Sequence, residues 1–265
     1  MVRDLRAALV GRRIDAVEVL RPDVLRVPVA EVLPALLVRQ HVVGVDRRGK
    51  FILIQLDSGE HLMVHLGMTG HLLATSPDAP VAPHTHLRAR LDDGSELRFD
   101  DTRRFGRVAY GSTAALEDAR ALPRLGLEPL TDAFSQEAFD SMMRRTTRTV
   151  KAALLDQAGV AGLGNIYIDE ACFAAGIRPT RRCNRLTRAQ RAGLRAAIQD
   201  VLLTAIDNRG SSVDDYRDVW NARGSNQEAL QVYGRAGEAC FACGTVLRRT
   251  VVAGRTTVYC PHCQR

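Results

Sequence analysis

The sequence lacks the features that mark membrane-spanning, secreted and low-complexity proteins. No apolar run approaches the roughly 18 residues that a membrane span requires. The first fifteen residues carry scattered charges and no apolar core of their own, which argues against a signal peptide. The chain has no internal repeats and no low-complexity tracts. We therefore expect a cytoplasmic globular protein without membrane association.

Disulfide bonds are not expected either, although the chain contains six cysteines. Four of them form two Cys-x2-Cys pairs near the C-terminus, whereas Cys172 and Cys183 stand apart from any pair. This distribution fits a reducing compartment.

Positive charge is what the chain has in excess. Its 265 residues include 37 lysines and arginines against 30 acidic residues, which gives a formal net charge of +7. The composition, 46% hydrophobic and 25% charged, is that of a globular protein. A basic excess indicates either a polyanionic partner, most often nucleic acid, or an ordinary basic enzyme, and composition does not separate the two.

The first 112 residues are predicted to form an antiparallel β-sandwich. Short, largely alternating apolar segments are separated by turn signals such as Asp57-Ser58-Gly59. Consecutive short strands joined by hairpin turns favour two packed antiparallel sheets. The predicted strands cover residues 12–20, 51–56, 62–66, 86–91, 97–100 and 107–111.

After a predicted linker over residues 113–132, the pattern becomes helical. Residues 133–229 are predicted to form a helical domain, and its longest helix covers residues 186–208 with apolar positions close to a 3.6-residue period. Thr187 is the expected N-cap of that helix, and Gly210 is its expected stop signal.

Residues 230–265 are predicted to form a metal-binding hairpin. Each Cys-x2-Cys pair directs two thiolates at one ion, and tetrahedral zinc takes four. The segment between the pairs alternates like two strands that turn at Ala253-Gly254. We expect one structural zinc ion with no open position for catalysis, and the competing interpretations are a redox pair and an iron–sulfur cluster. The four cysteines are Cys240, Cys243, Cys260 and Cys263.

Arginines on this hairpin are candidates for contacts with a polyanion. Arg248 and Arg249 lie on its first predicted strand, and Arg255 lies beside the tip. A tip arginine is usually only solvated. On a hairpin fixed by metal in a basic protein, a phosphate contact becomes the better interpretation.

Four motifs follow one another along the chain in a recognisable order. They are HLGMTG at residues 65–70, DDTRRFG at residues 100–106, GLGNIY at residues 162–167, and the four-cysteine hairpin. In order and spacing they resemble the formamidopyrimidine-DNA glycosylase family, bacterial enzymes that remove oxidised purines from DNA. The resemblance implies an α+β multidomain protein with an N-terminal β-sandwich, a helix–two-turn–helix domain and a C-terminal zinc hairpin.

The resemblance assigns Met68, Arg103 and Phe105 to the gap that an extruded base leaves in the DNA stack. A flexible methionine can fill the gap, an arginine can hydrogen-bond to the orphaned base, and a phenylalanine can wedge between base steps. These residues favour the purine-specific branch over the endonuclease VIII type. The alternative is that Met68 and Phe105 are ordinary core residues.

Three further residues are carried over from the family as DNA contacts. Asn165, at the start of a helix, would grip the DNA backbone beside the lesion. Lys50 would contact a phosphate near the flipped nucleotide, and Lys151 matches another lysine of the active site. The alternatives are a helix-capping asparagine and two plain surface charges. Arg255 would reach phosphates from the zinc hairpin.

The polar, aperiodic segment over residues 211–229 matches the loop that forms a lid over the extruded base in the family. One lysine that is common in that lid is replaced here by Asp214. The resemblance therefore does not fix the lesion preference.

The catalytic nucleophile of the family is missing from the N-terminus of this sequence. In the family an N-terminal proline attacks C1′ through its secondary amine, and the next residue, a glutamate, is the acid–base partner. Here no proline precedes Pro22 and no glutamate precedes Glu18. Either the true start lies upstream of Met1, which we favour, or the chain binds damaged DNA without cutting it. Lys50 is a candidate substitute nucleophile.

The resemblance as a whole implies a base-excision repair glycosylase for formamidopyrimidine and 8-oxoguanine, with AP-lyase activity and one zinc ion. We expect a bacterial monomer that acts on double-stranded DNA in the cytoplasm, at the nucleoid. The alternatives are a non-catalytic binder of damaged or abasic DNA and an RNA-binding zinc-ribbon protein.

Overall fold

The predicted β-sandwich is present and consists of two four-stranded antiparallel sheets in the computed structural model, which describes residues 1–213 and 215–265. The elements of this part are α1 (Val2–Leu9), β1 (Ile14–Val19), α2 (Leu33–Leu37), β2 (Val42–Arg48), β3 (Phe51–Leu56), β4 (His61–His65), β5 (Gly70–Thr75), β6 (Thr85–Leu91), β7 (Glu96–Asp101), β8 (Arg107–Gly111) and α3 (Thr113–Asp118). The strand orders of the two sheets are β1-β6-β7-β5 and β2-β3-β4-β8.

Apolar side chains from both sheets and from α1 form one shared core. Leu5 of α1, Ile54 of β3 and Phe99 of β7 are all buried in the same cluster. Burial of this apolar area is the main force that holds the two sheets together. Every strand predicted from the sequence is observed within two residues of its predicted bounds.

Two strands escaped prediction, each for a physical reason. In β2 a register shift between Val42 and Gly44 interrupts the apolar alternation. Strand β5 lies at a sheet edge and fully buries only Leu72, so it shows no alternation. Its edge is covered, because the Ala74 N–H donates to the Val219 carbonyl oxygen over 2.9 Å.

The rest of the chain is helical and ends in a hairpin. Thr187 is the N-cap of α7 (Arg188–Asp207), as predicted, and it also forms a capping box with Gln190. No helix among the described residues is long and apolar enough to cross a bilayer. The elements are α4 (Gln136–Arg144), α5 (Val150–Leu155), α6 (Asn165–Ala174), α7 (Arg188–Asp207), β9 (Arg248–Val252) and β10 (Arg255–Tyr259).

The chain divides into two units whose borders differ from the predicted domains. The first unit contains Met1–Arg124 together with Arg209–Ser225, and the second contains Leu125–Asn208 together with Asn226–Arg265. The loop predicted to belong to the helical domain therefore groups mostly with the sandwich. Helix α3 occupies the first part of the predicted linker.

Candidate nucleic-acid interface

The four cysteines predicted to bind zinc converge on one point. Their Sγ atoms all lie within 4.8 Å of one another. The sulfurs of Cys240 and Cys263 are 4.0 Å apart, and those of Cys243 and Cys260 are 3.5 Å apart. A tetrahedral zinc ion with Zn–S bonds of about 2.3 Å places its sulfurs about 3.8 Å apart. The donor set and its geometry therefore fit one zinc ion.

The metal site supports a small hairpin with basic residues at its surface. Strands β9 and β10 pair across a tip in which Ala253 and Gly254 both have positive φ, 49° and 72°. Arg255 follows the tip directly and is exposed, as are Arg248 and Arg249. A two-stranded hairpin of this size depends on the metal for its stability.

Two carboxylates on α6 hold this hairpin in place, and the sequence prediction missed both. Glu170 accepts hydrogen bonds of 2.8 to 2.9 Å from the backbone N–H groups of residues 231–233. Asp169 accepts one of 3.0 Å from the N–H of Val258 in β10. Both carboxylates are buried. The signal that could have revealed them is a pair of adjacent acids inside an otherwise apolar helix.

Lys151 does not lie where a DNA contact requires. Its side chain is fully buried, and its Nζ donates to Asp169 Oδ1 over 2.6 Å and to the Thr256 carbonyl oxygen over 3.0 Å. Burial raises the pKa of Asp169 to about 6, against the opposing effect of the Lys151 charge. No phosphate can reach this amine, so the prediction of a DNA contact is wrong. Lys151 instead ties α5 to α6 and β10.

Asn165 is the first residue of α6, and Gly164 occupies the N-cap position. No side-chain cap hydrogen bond is formed there, so the interpretation of Asn165 as an ordinary capping residue is wrong. Its Oδ1 is buried and has no hydrogen-bond partner among the residues that the structure describes. The N-cap residue of α6 therefore makes no side-chain cap hydrogen bond, and the start of a helix is where backbone N–H groups can bind an anion.

In the first unit, Met68 and Phe105 are exposed rather than buried. Met68, on the loop between β4 and β5, is 55% exposed, and Phe105, on the loop between β7 and β8, is 52% exposed. The interpretation of both as core residues is therefore wrong. The Arg103 guanidinium carbon lies 4.8 Å from the centroid of the Phe105 ring. Exposed apolar side chains beside a cation suit insertion into a base stack.

His65 lies at the base of the Met68 loop and was not predicted as a site residue. Its Nδ1 accepts a hydrogen bond of 3.1 Å from the Gly67 N–H. Burial, together with the nearby charges of Arg107 and Lys50, lowers the pKa of His65 to about 4. The imidazole is therefore neutral at pH 7 and can keep accepting from Gly67. Lys50 itself is exposed in the turn between β2 and β3.

We predict that acid destabilises the sandwich through His65. The folded-state pKa of about 4 lies below the ordinary value of 6.5, so the unfolded chain takes up the proton first. The free energy of unfolding should therefore fall as the pH decreases from 6.5 towards 4. Urea unfolding of the wild type and of His65→Asn, which keeps an acceptor but does not titrate, measures this. The variant should lose part of the pH dependence. An identical dependence would refute the prediction.

The segment predicted as a lid is largely anchored in the first unit. Val219 is fully buried in the sandwich core. Asp218 accepts hydrogen bonds from the backbone N–H groups of Trp220 and Ala222, at 3.0 and 2.8 Å. Asp214, on which the comparison of lid residues depends, lies outside the described residues. The second half of this segment is therefore part of the sandwich rather than an open flap.

Family models match three consecutive parts of the chain. The formamidopyrimidine-DNA glycosylase N-terminal domain matches residues 1–108, and the formamidopyrimidine-DNA glycosylase H2TH domain matches residues 125–217. The zinc finger found in FPG and IleRS matches residues 237–265. Together with the cysteine geometry, the last match confirms the zinc prediction.

Curated proteins named formamidopyrimidine-DNA glycosylase are similar over nearly the full length. One from Moorella thermoacetica is 48% identical over 248 residues, which cover 93% of this chain and 90% of the relative. One from Pelotomaculum thermopropionicum is 42% identical over 263 residues, which cover 99% of this chain and 95% of the relative.

Solved structures give the same result for the fold. The complex between Lactococcus lactis Fpg and an abasic site containing DNA has a TM-score of 0.92 and 34% identity, and the match covers 100% of this chain and 96% of that one. The MutM (Fpg) protein from Thermus thermophilus has a TM-score of 0.88 and 38% identity, with coverage of 99% and 95%. The predicted fold is therefore confirmed.

Proposed function

The chain belongs to the formamidopyrimidine-DNA glycosylase family, and from that premise we propose that it excises formamidopyrimidine and 8-oxoguanine from duplex DNA and cleaves the resulting abasic site. Relatives with this name, and Fpg complexes with Fapy-dG and with abasic-site DNA, support the proposal. Its recognition step is binding of duplex DNA with one base out of the stack.

The observation that carries the proposal is the exposure of Met68 and Phe105 with Arg103 stacked on the phenyl ring. Exposure of two large apolar side chains to water is unfavourable in free energy. That unfavourable exposure ends when the side chains enter a gap between bases. Arg103 adds hydrogen-bond donors for the edge of the orphaned base. These three residues therefore recognise the gap that the extruded nucleotide leaves in the base stack.

Contacts to the DNA backbone are proposed for Lys50, Asn165 and Arg255. Lys50 and Arg255 are exposed cations, and Asn165 opens a helix with no side-chain cap. Zinc, held by the four cysteines, supplies no step of the reaction and fixes the hairpin that presents Arg255. Asp169 and Glu170 hold that hairpin to α6.

No residue of this sequence matches the proline nucleophile of the family pattern. The Met1 ammonium lies 3.1 Å from Asp4 Oδ2, and Arg209 lies 3.2 Å from the other oxygen of the same carboxylate. An ion-paired primary amine is a poor substitute for a free secondary amine. Lys50, which is exposed, is a candidate nucleophile. The alternative function is a non-catalytic binder of damaged DNA.

Borohydride trapping on an 8-oxoguanine duplex tests the proposal. The chain has only two lysines, Lys50 and the buried Lys151, so few amines compete as the site of a covalent adduct. We expect a covalent adduct between the protein and the duplex. Loss of that adduct in Lys50→Gln would make Lys50 the nucleophile. The absence of any adduct would refute the proposed activity.

A further inference from the structure

A single buried carboxylate joins the loops that carry Met68 and Phe105. Asp101, at the end of β7, is 1% exposed. Its Oδ1 accepts hydrogen bonds from the Thr69 hydroxyl over 2.6 Å and from the Arg103 N–H over 3.2 Å. Its Oδ2 accepts from the Gly106 N–H over 2.7 Å. One oxygen therefore bonds to both loops, and the other closes the second loop.

The backbone of Asp101 is held as firmly as its side chain. Its N–H donates to the His84 carbonyl oxygen over 3.0 Å, and its own carbonyl oxygen lies 2.8 Å from His86 Nε2. His86 lies in β6, the neighbouring strand of the same sheet, and His84 directly precedes that strand. The carboxylate is thus a fixed point to which the loops are attached.

The two loops also touch through their backbones. Gly67 has a φ of +66°, and a Cβ built there would lie 2.7 Å from the nitrogen of Gly106. A Cβ built on Gly106 would lie 3.0 Å from Asp101 Oδ2. Only glycine allows this approach. Separation of the two loops would also break the hydrogen bond from Thr69 to Asp101.

Polar contacts matter more here than in a core loop, because the functional side chains point into solvent. Met68 and Phe105 leave about half of their surface exposed, so packing does little to hold their loops. A buried carboxylate is costly unless several donors satisfy it, and its hydrogen bonds are then stronger than neutral ones. Asp101 therefore orders the two loops, which apolar burial alone does not.

We propose that Asp101 is a positioning residue that couples the two loops, so that Met68, Arg103 and Phe105 enter a DNA gap as one unit. Thr69, which is 7% exposed, is its partner on the Met68 loop. Without this coupling, each loop would have to be ordered separately at the moment of binding, and affinity would fall. This inference rests on the proposed function, because it assumes that the three side chains read a gap.

The test compares affinities for a duplex with a tetrahydrofuran abasic-site analogue and for the same duplex intact. We expect Asp101→Asn and Thr69→Val to reduce the preference for the abasic duplex by about tenfold or more, the effect of a lost hydrogen bond to a charged group. Thr69→Ser keeps the hydroxyl and should restore the preference. Thr75→Val, at the far end of β5, is the matched control and should leave it unchanged.

A second comparison separates positioning from general destabilisation. In a Met68→Ala/Arg103→Ala/Phe105→Ala background, Asp101→Asn should have little further effect on the preference, because the three coupled side chains are already gone. A full additional loss in that background would overturn the inference, as would an unchanged preference in Thr69→Val. If Asp101→Asn fails to fold, the comparison of Thr69→Val with Thr69→Ser tests the inference alone. A wild type without any preference would refute the proposed function itself, and this inference with it.

Discussion

Replacement of Cys260 with serine is expected to remove zinc and to abolish tight DNA binding while the helices stay folded. Cys260 is fully buried among only a few apolar neighbours, including Val232, Leu247 and Val258. So small a cluster cannot offset the entropy of ordering the hairpin, whereas zinc binding in comparable fingers contributes about 10–16 kcal/mol. Without the metal, Arg255 loses its fixed position.

The loss should be local because other contacts tie the end of the chain to α6 and to the residues that follow it. Glu170 binds the backbone at residues 231–233, and the Gln264 amide donates to the Ile177 carbonyl oxygen over 2.9 Å. Zinc content, far-UV circular dichroism and gel shift on an abasic duplex test this together. Cys183→Ala, which changes a buried cysteine outside the zinc site, should retain one zinc per chain. Full affinity in a zinc-free Cys260→Ser protein would contradict the prediction.

Replacement of Lys151 with methionine should destabilise the second unit by about 3–5 kcal/mol, because it leaves Asp169 buried without its counter-ion. Both side chains of this pair are fully buried. Removal of one partner therefore lowers the free energy of unfolding by more than the intact ion pair contributes to it. Urea unfolding followed by far-UV circular dichroism measures the change. Lys50→Met is the matched control, since Lys50 is the other lysine of the chain and is exposed.

The deficit of Lys151→Met should also depend on pH in a defined direction. Burial already raises the pKa of Asp169 to about 6, and loss of the lysine raises it further. A carboxylate with a raised pKa binds a proton in the folded state first, so the variant gains stability relative to wild type as the pH falls from 8 to 5. A deficit that stays constant over this range would show that Asp169 is not the group left unpaired.

Local patterns predicted most of the fold. The N-cap at Thr187 and the strand at Phe51–Leu56 depend on neighbours within a few residues, and both are observed as predicted. Strands β2 and β5 were missed because a bulge and an edge position remove the alternation on which strand prediction depends. The buried position of Val219 could not be read from a polar loop.

The candidate site was predictable where its chemistry is local, and less so where it is not. Four cysteines in two tight pairs define a zinc site almost without regard to the fold. Lys151 was misassigned because its partner Asp169 is eighteen residues away on another helix. Asp101 was overlooked because the motif that contains it was assigned to Arg103 and Phe105, and its hydrogen bond to Thr69 spans 32 positions.

We propose that this protein recognises a gap in the DNA stack. The most direct test is the ratio of wild-type dissociation constants for the intact duplex and for the same duplex with a tetrahydrofuran site. Both are measured at one stated salt concentration, because phosphate contacts respond to salt in both cases. We expect tighter binding to the abasic duplex by at least about tenfold, or 1.4 kcal/mol. Equal affinities for the two duplexes would contradict it.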